Sequence, residues 1–382
     1  RKKRLTAEKY IELALIEELE SSNDEALEYF HKALRIYEEL EYFGGIIKCL
    51  VYISHIHRIR GDGQSSLTCL ERILHLQEYI ENEDDRTKIY TALGKTYNCL
   101  GQYEESIKNH KIALSVAQKS SNLFGVGIAY GNLGSMYFKT GKYEMCIGFF
   151  EQAIQLARDV GDRRNQSVFE GSLALALENL GRFEEALQKH INCAQIFKKI
   201  GDRRSESIQY GNIGNIYRVL NDYDKAIENY LRCLDMIKEL KSPTIVGIFT
   251  GNLGDLYLQF HEYDKAEKAL RESISICETR IPIAAGAFKG SLALLLSEQG
   301  KVAEALLEIE QGEPLVSIQI EEYGKFLCKK VQVLFRAQDY ETSEKTLTQA
   351  EDIFRKLKLN ENSELSKKLQ QAKDIFVKGI DI

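Results

Sequence analysis

The stretch Ala129-Tyr130-Gly131-Asn132-Leu133-Gly134-Ser135-Met136-Tyr137, followed shortly by Gly141-Lys142-Tyr143-Glu144, decides how this chain folds. Gly134 belongs to a column that returns every 40 residues: Ala14, Ser54, Gly94, Gly134, Ala174, Gly214, Gly254. A second column reads Ala26, Ser66, Ser106, Cys146, Ala186, Ala226, Ala266, and every entry in both is small. A third, Ala33, Ile73, Ala113, Ala153, Cys193, Cys233, Ser273, is small in six of seven copies. Against these stands a bulky column, Phe30, Leu70, His110, Phe150, His190, Tyr230, Leu270. Small residues let helix axes approach, and bulky ones fill the space beside them. Between the first two columns falls a breaker, Gly61, Gly101, Gly141, Gly181 or Asn221, usually followed two residues later by an aromatic such as Tyr103, Tyr143, Phe183 or Tyr223. Each unit therefore reads as helix, tight turn, helix.

Working outward, the 40-residue period holds without insertion through seven copies. An eighth unit, shortened by one residue, runs from Ala293 through Gly300 to Ala305, and a degenerate ninth passes through Val331, Tyr340, Ser343 and Ala350. Pro282 and Pro314 mark loosened joints. From Asn362 to Lys378 the apolar residues Leu365, Leu369, Ala372 and Phe376 keep helical spacing, with Lys and Gln between them. That tail reads as a cap, because the last repeat of a stacked array needs a polar outer face. The expected organisation is seven regular units over 1–279, two less regular ones over 280–358, and a capping helix and tail over 359–382.

Composition agrees. The 382 residues include only 3 Pro and no Trp, against 27 Gly, so long helices with glycine punctuation are favoured. With 44% hydrophobic and 28% charged residues the chain has a core to bury and does not read as disordered. A net charge of −6, from 51 basic and 57 acidic residues, recommends neither nucleic acid nor an anionic membrane as partner. No apolar run approaches the roughly 18 residues needed to cross a bilayer. The eight cysteines are scattered without a C-x-x-C, which fits a reducing cytoplasm. The chain opens Arg1-Lys2-Lys3-Arg4 without Met, which suggests a segment of a longer polypeptide; the basic run itself reads as a solvated end.

The quoted stretch, with its repeats from Tyr210 to Tyr223 and from Thr250 to Tyr263, resembles the tetratricopeptide repeat family over nearly the whole chain. The resemblance implies an all-α, right-handed superhelical solenoid of about nine helix-turn-helix repeats with a C-terminal capping helix. The family's usual repeat is about 34 residues, so the extra ones lengthen the second helix and its exit. Units of 40 residues resemble the Pins/LGN adaptors and the repeat arrays of bacterial signalling ATPases, kinases and cyclases.

A search for catalytic spacings finds none. There is no G-x-x-x-x-G-K-[ST], no H-E-x-x-H and no G-x-S-x-G, and the G-N-L-G strings sit inside helices where their glycines serve packing. His55 and His57 are two apart, which points them to different sides of a helix and forms no chelate. No enzyme activity, metal or cofactor is expected. Tyr137, Tyr217 and Tyr257 recur with the period and read as packing.

The candidate site is the face of the first helices, which the resemblance implies is concave. Asn132, Asn212 and Asn252 repeat at one helical position, with Ser172 between. The adaptor resemblance implies that these asparagines bond the backbone of an extended peptide, since a carboxamide both donates and accepts; pairing with a neighbouring helix would satisfy the same amide. Asn215 and Asp255 lie three residues further along the same face, and Arg218 three beyond Asn215. Asp162 and Asp202 read as helix N-caps. Arg164 and Arg204, two residues on, could fork onto a ligand carboxylate or phosphate, or pair with an acid of the adjoining repeat. The expected function is a protein-interaction scaffold that binds a peptide or partner segment, acidic in character, in this groove. The rival is the regulatory or sensor segment of a larger bacterial signalling enzyme, and the groove could also close on a segment of the protein itself.

Overall fold

The computed structural model describes residues 2–19, 22–80, 82–240, 242–361 and 363–379. Arg1 of the basic run, Asn362 at the head of the tail and residues 380–382 lie outside the described residues. Among the described residues there are nineteen α-helices and no strand. They are α1 (Lys2–Leu19), α2 (Asn23–Glu39), α3 (Phe43–Ile59), α4 (Gly63–His75), α5 (Glu83–Cys99), α6 (Tyr103–Lys119), α7 (Leu123–Lys139), α8 (Tyr143–Asp159), α9 (Arg163–Asn179) and α10 (Phe183–Ile200). There follow α11 (Arg203–Val219), α12 (Tyr223–Lys238), α13 (Pro243–Gln259), α14 (Tyr263–Cys277), α15 (Pro282–Glu298), α16 (Val302–Val316), α17 (Ile320–Arg336), α18 (Tyr340–Leu357) and α19 (Glu364–Gly379). Odd-numbered helices up to α17 are first helices of a repeat and even-numbered ones are second helices. The chain divides into two compact units, one of residues 1–140 and 148–161, the other of 141–147 and 162–382.

Within a repeat the small column meets the bulky one face to face. A Cβ on Gly134 would lie 2.8 Å from the Phe150 ring, one on Gly214 2.7 Å from the Tyr230 ring, and one on Gly254 2.9 Å from Leu270. No real side chain tolerates such contacts, so the small residue sets how closely the first helix approaches the second. The bulky partners Phe30, Phe150 and Tyr230 are fully buried as a result. Backbone carbonyls at the contact are not wasted: Ser106 Oγ donates to Gly94 O at 2.7 Å, and Ser343 Oγ does the same to Val331 O at 2.8 Å in the ninth unit.

A second close approach joins successive first helices. A Cβ on Gly211 would fall 2.1 Å from Phe249 of the next repeat, and one on Gly251 2.4 Å from Phe288. This glycine column was not singled out in the sequence, because its partner lies a whole repeat away rather than in the same helix pair.

Turns follow the same period. Among the described residues, the residue ending a helix pair's inner turn takes the left-handed conformation, at φ 73° in Gly101 but also at φ 62° in Asn221 and φ 58° in His261. First helices are capped by a recurring side chain: Asn82, Asn122, Asp162 and Asp202 each accept from the backbone N–H three residues on. Two details differ from the sequence reading. Pro314 lies inside the last turns of α16 rather than at a joint, whereas Pro282 opens α15 where its missing N–H costs nothing. The described part of the basic run, Lys2 to Arg4, belongs to α1, with Lys3 2.9 Å from Glu39 and the Arg4 guanidinium over the Tyr42 ring, so it is not a loose end. Of the recurring tyrosines, Tyr137 is buried, while Tyr217 and Tyr257 are half-buried beneath Lys225 and Lys265.

Two predictions follow from this packing. Gly134→Ala drives a methyl into Phe150 and lowers the stability of the first unit by about 1–3 kcal/mol, while Gly148→Ala, a helical position with open space around it, raises it by about 0.5–1 kcal/mol; urea titrations of the two variants should move in opposite directions. His110 fills the bulky column as a neutral ring, its pKa pushed down from 6.5 to about 4 by burial and by nearby Lys95. A base with a depressed folded pKa contributes stability that is complete above the unfolded value and fades as pH falls towards the folded one. The first unit should therefore lose about 2 kcal/mol between pH 7 and pH 5 on this account, and His110→Phe, the residue found at Phe30 and Phe150, should shrink that loss.

Candidate functional site

Along α11 the spacing of three places Asn212, Asn215 and Arg218 on one face, and along α13 it does the same for Asn252 and Asp255. The structure brings four of these together. Asn252 Nδ2 donates to Asn215 Oδ1 at 2.8 Å, and Tyr230 Oη, reaching from α12, donates to the same oxygen at 2.7 Å. Asp255 Oδ2 lies 3.8 Å from Lys329 Nζ on α17, and Lys329 also donates to Ala287 O at 3.2 Å. Arg218 Nη2 donates to Glu364 Oε1 of α19 at 2.7 Å. Asn212 itself is half-buried beside this cluster.

The partner of Arg218 therefore comes from the chain's own C-terminal helix. Its apolar stripe packs as the spacing suggested, with Leu365, Leu369 and Ala372 buried and the Phe376 ring edge-on to Phe335 at 5.0 Å. The polar side of α19 does more than face solvent. Glu364 lies 2.7 Å from Arg218, 3.3 Å from Lys325 and 3.7 Å from Lys368, and Lys367 Nζ donates to Val219 O at 3.0 Å, at the carbonyl end of α11 where a cation is favoured. Lys325 is further held by Glu321 at 3.1 Å and Glu322 at 2.9 Å, and Glu321 accepts from Tyr143. Burial alone would neutralise Glu364, but Lys325, Arg218 and Lys368 outweigh it and hold the carboxyl well below its ordinary pKa. Burial likewise opposes the Arg218 charge, and Glu364, Tyr230 and Asp255 more than offset it. Lys329 goes the other way: burial lowers its pKa, with nearby Lys368 adding to the effect, and Asp255 does not offset it.

The remaining candidates lie apart from this cluster. Arg164 is exposed and sits 3.5 Å from Asp202, the N-cap of the next first helix, so the local pairing holds it; Arg204 is exposed. Asn132, in the first unit, is half-buried with its Nδ2 enclosed and without a hydrogen-bond partner. Arg218 Nε and Asp255 Oδ1 share that condition, as does Glu298 Oε2. Arg218, Asp255 and Glu298 line a cleft of about 470 Å³ together with Lys329, Gln332 and Lys368. Sequence reasoning missed Glu364, Lys325 and Lys329, which lie outside the regular units where the period would have flagged them.

The tetratricopeptide repeat family model matches residues 85–159, 125–190, 166–239 and 207–279. No curated protein sequence matches. Among solved structures, a Rap protein complexed with competence and sporulation factor is similar at 17% identity, covering 93% of this chain and 98% of that one with a TM-score of 0.67. The apo quorum sensor NprR of B. thuringiensis is similar at 16% identity over 89% and 99% of the two chains, with a TM-score of 0.59. A signal transduction ATPase with numerous domains and a tetratricopeptide repeat sensor, from Pyrococcus horikoshii, is similar at 17% identity over 89% of this chain and 50% of that one, with a TM-score of 0.58. At such identities the likeness is one of fold. Among the described residues no helix is long and apolar enough to cross a membrane.

Because Glu364 is held charged, its contribution to docking α19 is complete above the ordinary glutamate pKa of 4.5 and fades as pH falls below it. Glu364→Gln should weaken docking of α19 by about 3 kcal/mol at neutral pH, since it takes the paired carboxylate from buried Arg218, whereas Lys325 keeps Glu321 and Glu322. Amide exchange should accelerate in α19, and in the wild type the same acceleration should set in only at acid pH.

Proposed function

The chain belongs to the tetratricopeptide repeat family, and on that footing we propose that it is a protein-interaction scaffold whose first-helix face takes an extended segment of a partner protein. The observation that carries the reading is the set of enclosed polar atoms left without partners at Asn132, Arg218 and Asp255. An unsatisfied buried donor or acceptor costs about 1–3 kcal/mol, and a peptide backbone, with a donor and an acceptor at each residue, would relieve that cost. Asn132 in the first unit and Asn212 in the second are, each within its own unit, the leading backbone contacts in this proposal. Asn252 and Asn215 bond one another and so orient the face, and Arg164 and Arg204 are rim charges that steer an acidic segment towards it.

The Rap protein was solved in complex with competence and sporulation factor and NprR is named a quorum sensor, which supports a partner-binding role in signalling here. The ATPase, half of whose length this chain matches, favours a second reading, that the array is the sensing part of a larger signalling protein. Both assign the same work to the first-helix face.

Binding of a randomised pool of fluorescein-labelled decapeptides tests the proposal. Replacing Asn132 and Asn212 together by Ala should weaken retention of the pool by at least tenfold while the unfolding midpoint hardly moves, in line with about 1–3 kcal/mol for buried amides left unpaired. Unchanged binding would sink the proposal, and so would loss of the fold, which would make the asparagines internal packing.

A further inference from the structure

Helix α1 keeps the apolar columns of a first helix but leaves part of them open. Leu13 stands in the column that continues as Ile53, Leu93 and Leu133, and Ile16 in the one that continues as Ile56, Thr96 and Met136. Those six later residues are at most 3% exposed, whereas Leu13 is 41% and Ile16 53% exposed. Elsewhere the second helix of the preceding repeat covers this side: Ser66 Oγ of α4 lies 2.8 Å from Thr96 Oγ1, and Ser106 Oγ of α6 lies 3.0 Å from Met136 Sδ. Leu5, 55% exposed, belongs to the same side. A Cβ on its equivalents Gly45 and Gly125 would press on Tyr37 of α2 and Ala117 of α6, the second helices before them.

Between these apolar residues the stripe is charged. Lys9 occupies the column in which Phe249 and Phe288 reach back to Gly211 and Gly251 on the preceding first helix, and no other copy carries a charge there. A complete repeat would set its first helix against this lysine, so the face suits a single helix in the place of a second one. At about 100° per residue, Leu5, Lys9, Glu12, Leu13 and Ile16 fall within an arc of about 100°. Lys9 and Glu12 are exposed, and among the described residues neither pairs with another charge. The stripe complements itself. Laid antiparallel, as short connections lay successive helices, two copies of α1 centred between Tyr10 and Ile11 set Leu5 against the partner's Ile16 and Lys9 against the partner's Glu12. Leu13 then lies over the aliphatic stem of the partner's Lys9. A parallel arrangement would instead set each lysine against its own copy.

We propose that this face docks a second copy of the chain, in a two-fold symmetric dimer through antiparallel α1 helices. The contact is isologous, so each apolar and each charged pair occurs twice. One helix pair is a small interface, and the dimer exchanges with monomer in a concentration-dependent way. Head-to-tail stacking of copies fits less well, because α19 already covers α17 and α18, with the Phe376 ring on Phe335 and Lys373 2.7 Å from Glu351. A helix of some other protein could cover Leu13 and Ile16, but only a second copy brings an acid and a base to the places opposite Lys9 and Glu12 by symmetry. The inference is independent of the segment-binding reading above.

The test is sedimentation equilibrium of the full chain at low ionic strength, from about 1 to 100 µM. The wild type should show a species of twice the chain mass that dissociates on dilution. Ile16→Asp should weaken the dimer by at least tenfold while helical circular dichroism stays unchanged, since the side chain is exposed in the single chain. Lys9→Glu and Glu12→Lys should each weaken it by about tenfold, because either sets like charges opposite one another at two places. An equimolar mixture of these two variants should recover the wild-type affinity as a heterodimer, in which every charge again meets its opposite; mixing cannot cure a folding defect. A chain that stays monomeric throughout overturns the proposal and leaves the face to a helix of different origin. A dimer that persists in Ile16→Asp, that ignores the single charge reversals, or that does not recover on mixing overturns it as well.

Discussion

Everything in this structure depends on how closely a first helix can lie against its second. Gly134 against Phe150 and Gly214 against Tyr230 leave no room for even a methyl group, and a small residue returns at that place with the 40-residue period of the sequence. Once the contact is fixed, each repeat must present the opposite side of its first helix in the same way. The residues on that side take no part in the contact, so they can change charge and chemistry while the array stays intact. His55, Arg58 and Lys95 against Asn215, Arg218 and Asp255 are such a change, four repeats apart.

The two units use that freedom differently. In the second, a chain of charges runs from Asp255 and Lys329 to Arg218, Glu364, Lys325 and Glu321, and each carboxylate has a cation to face. Part of the balance is supplied by α19, whose Glu364 meets Arg218, 146 residues earlier in the chain, together with Lys325 of α17. The first unit keeps its cations without such a partner.

Much of the fold was legible in the sequence because it is periodic. The small columns, the left-handed turn positions and the caps at Asp162 and Asp202 repeat often enough to be read from spacing alone. The glycine column of Gly211 and Gly251 repeats as well, but its meaning lies in Phe249 and Phe288 one repeat on, and a reading made helix pair by helix pair passes over it. Of the candidate site, the positions on α11 and α13 were legible from the spacing of three. Their partners were not: Arg218 and Glu364 are separated by 146 residues with no period connecting them, and whether an asparagine such as Asn252 points at a ligand or at Asn215 is decided by side-chain geometry. Arg164 shows the same limit, because a pairing with Asp202 and an open guanidinium leave identical sequences.

The central claim is that partners are engaged through the face of the first helices rather than through the second helices. Site-specific photocrosslinking reads this directly, with a benzophenone amino acid placed in turn at Asn132 on α7 and at exposed Glu151 on α8. The account predicts that a peptide or protein partner is captured from position 132 and that an excess of unlabelled partner suppresses the capture, with position 151 silent. Capture from position 151 with none from position 132 would contradict it.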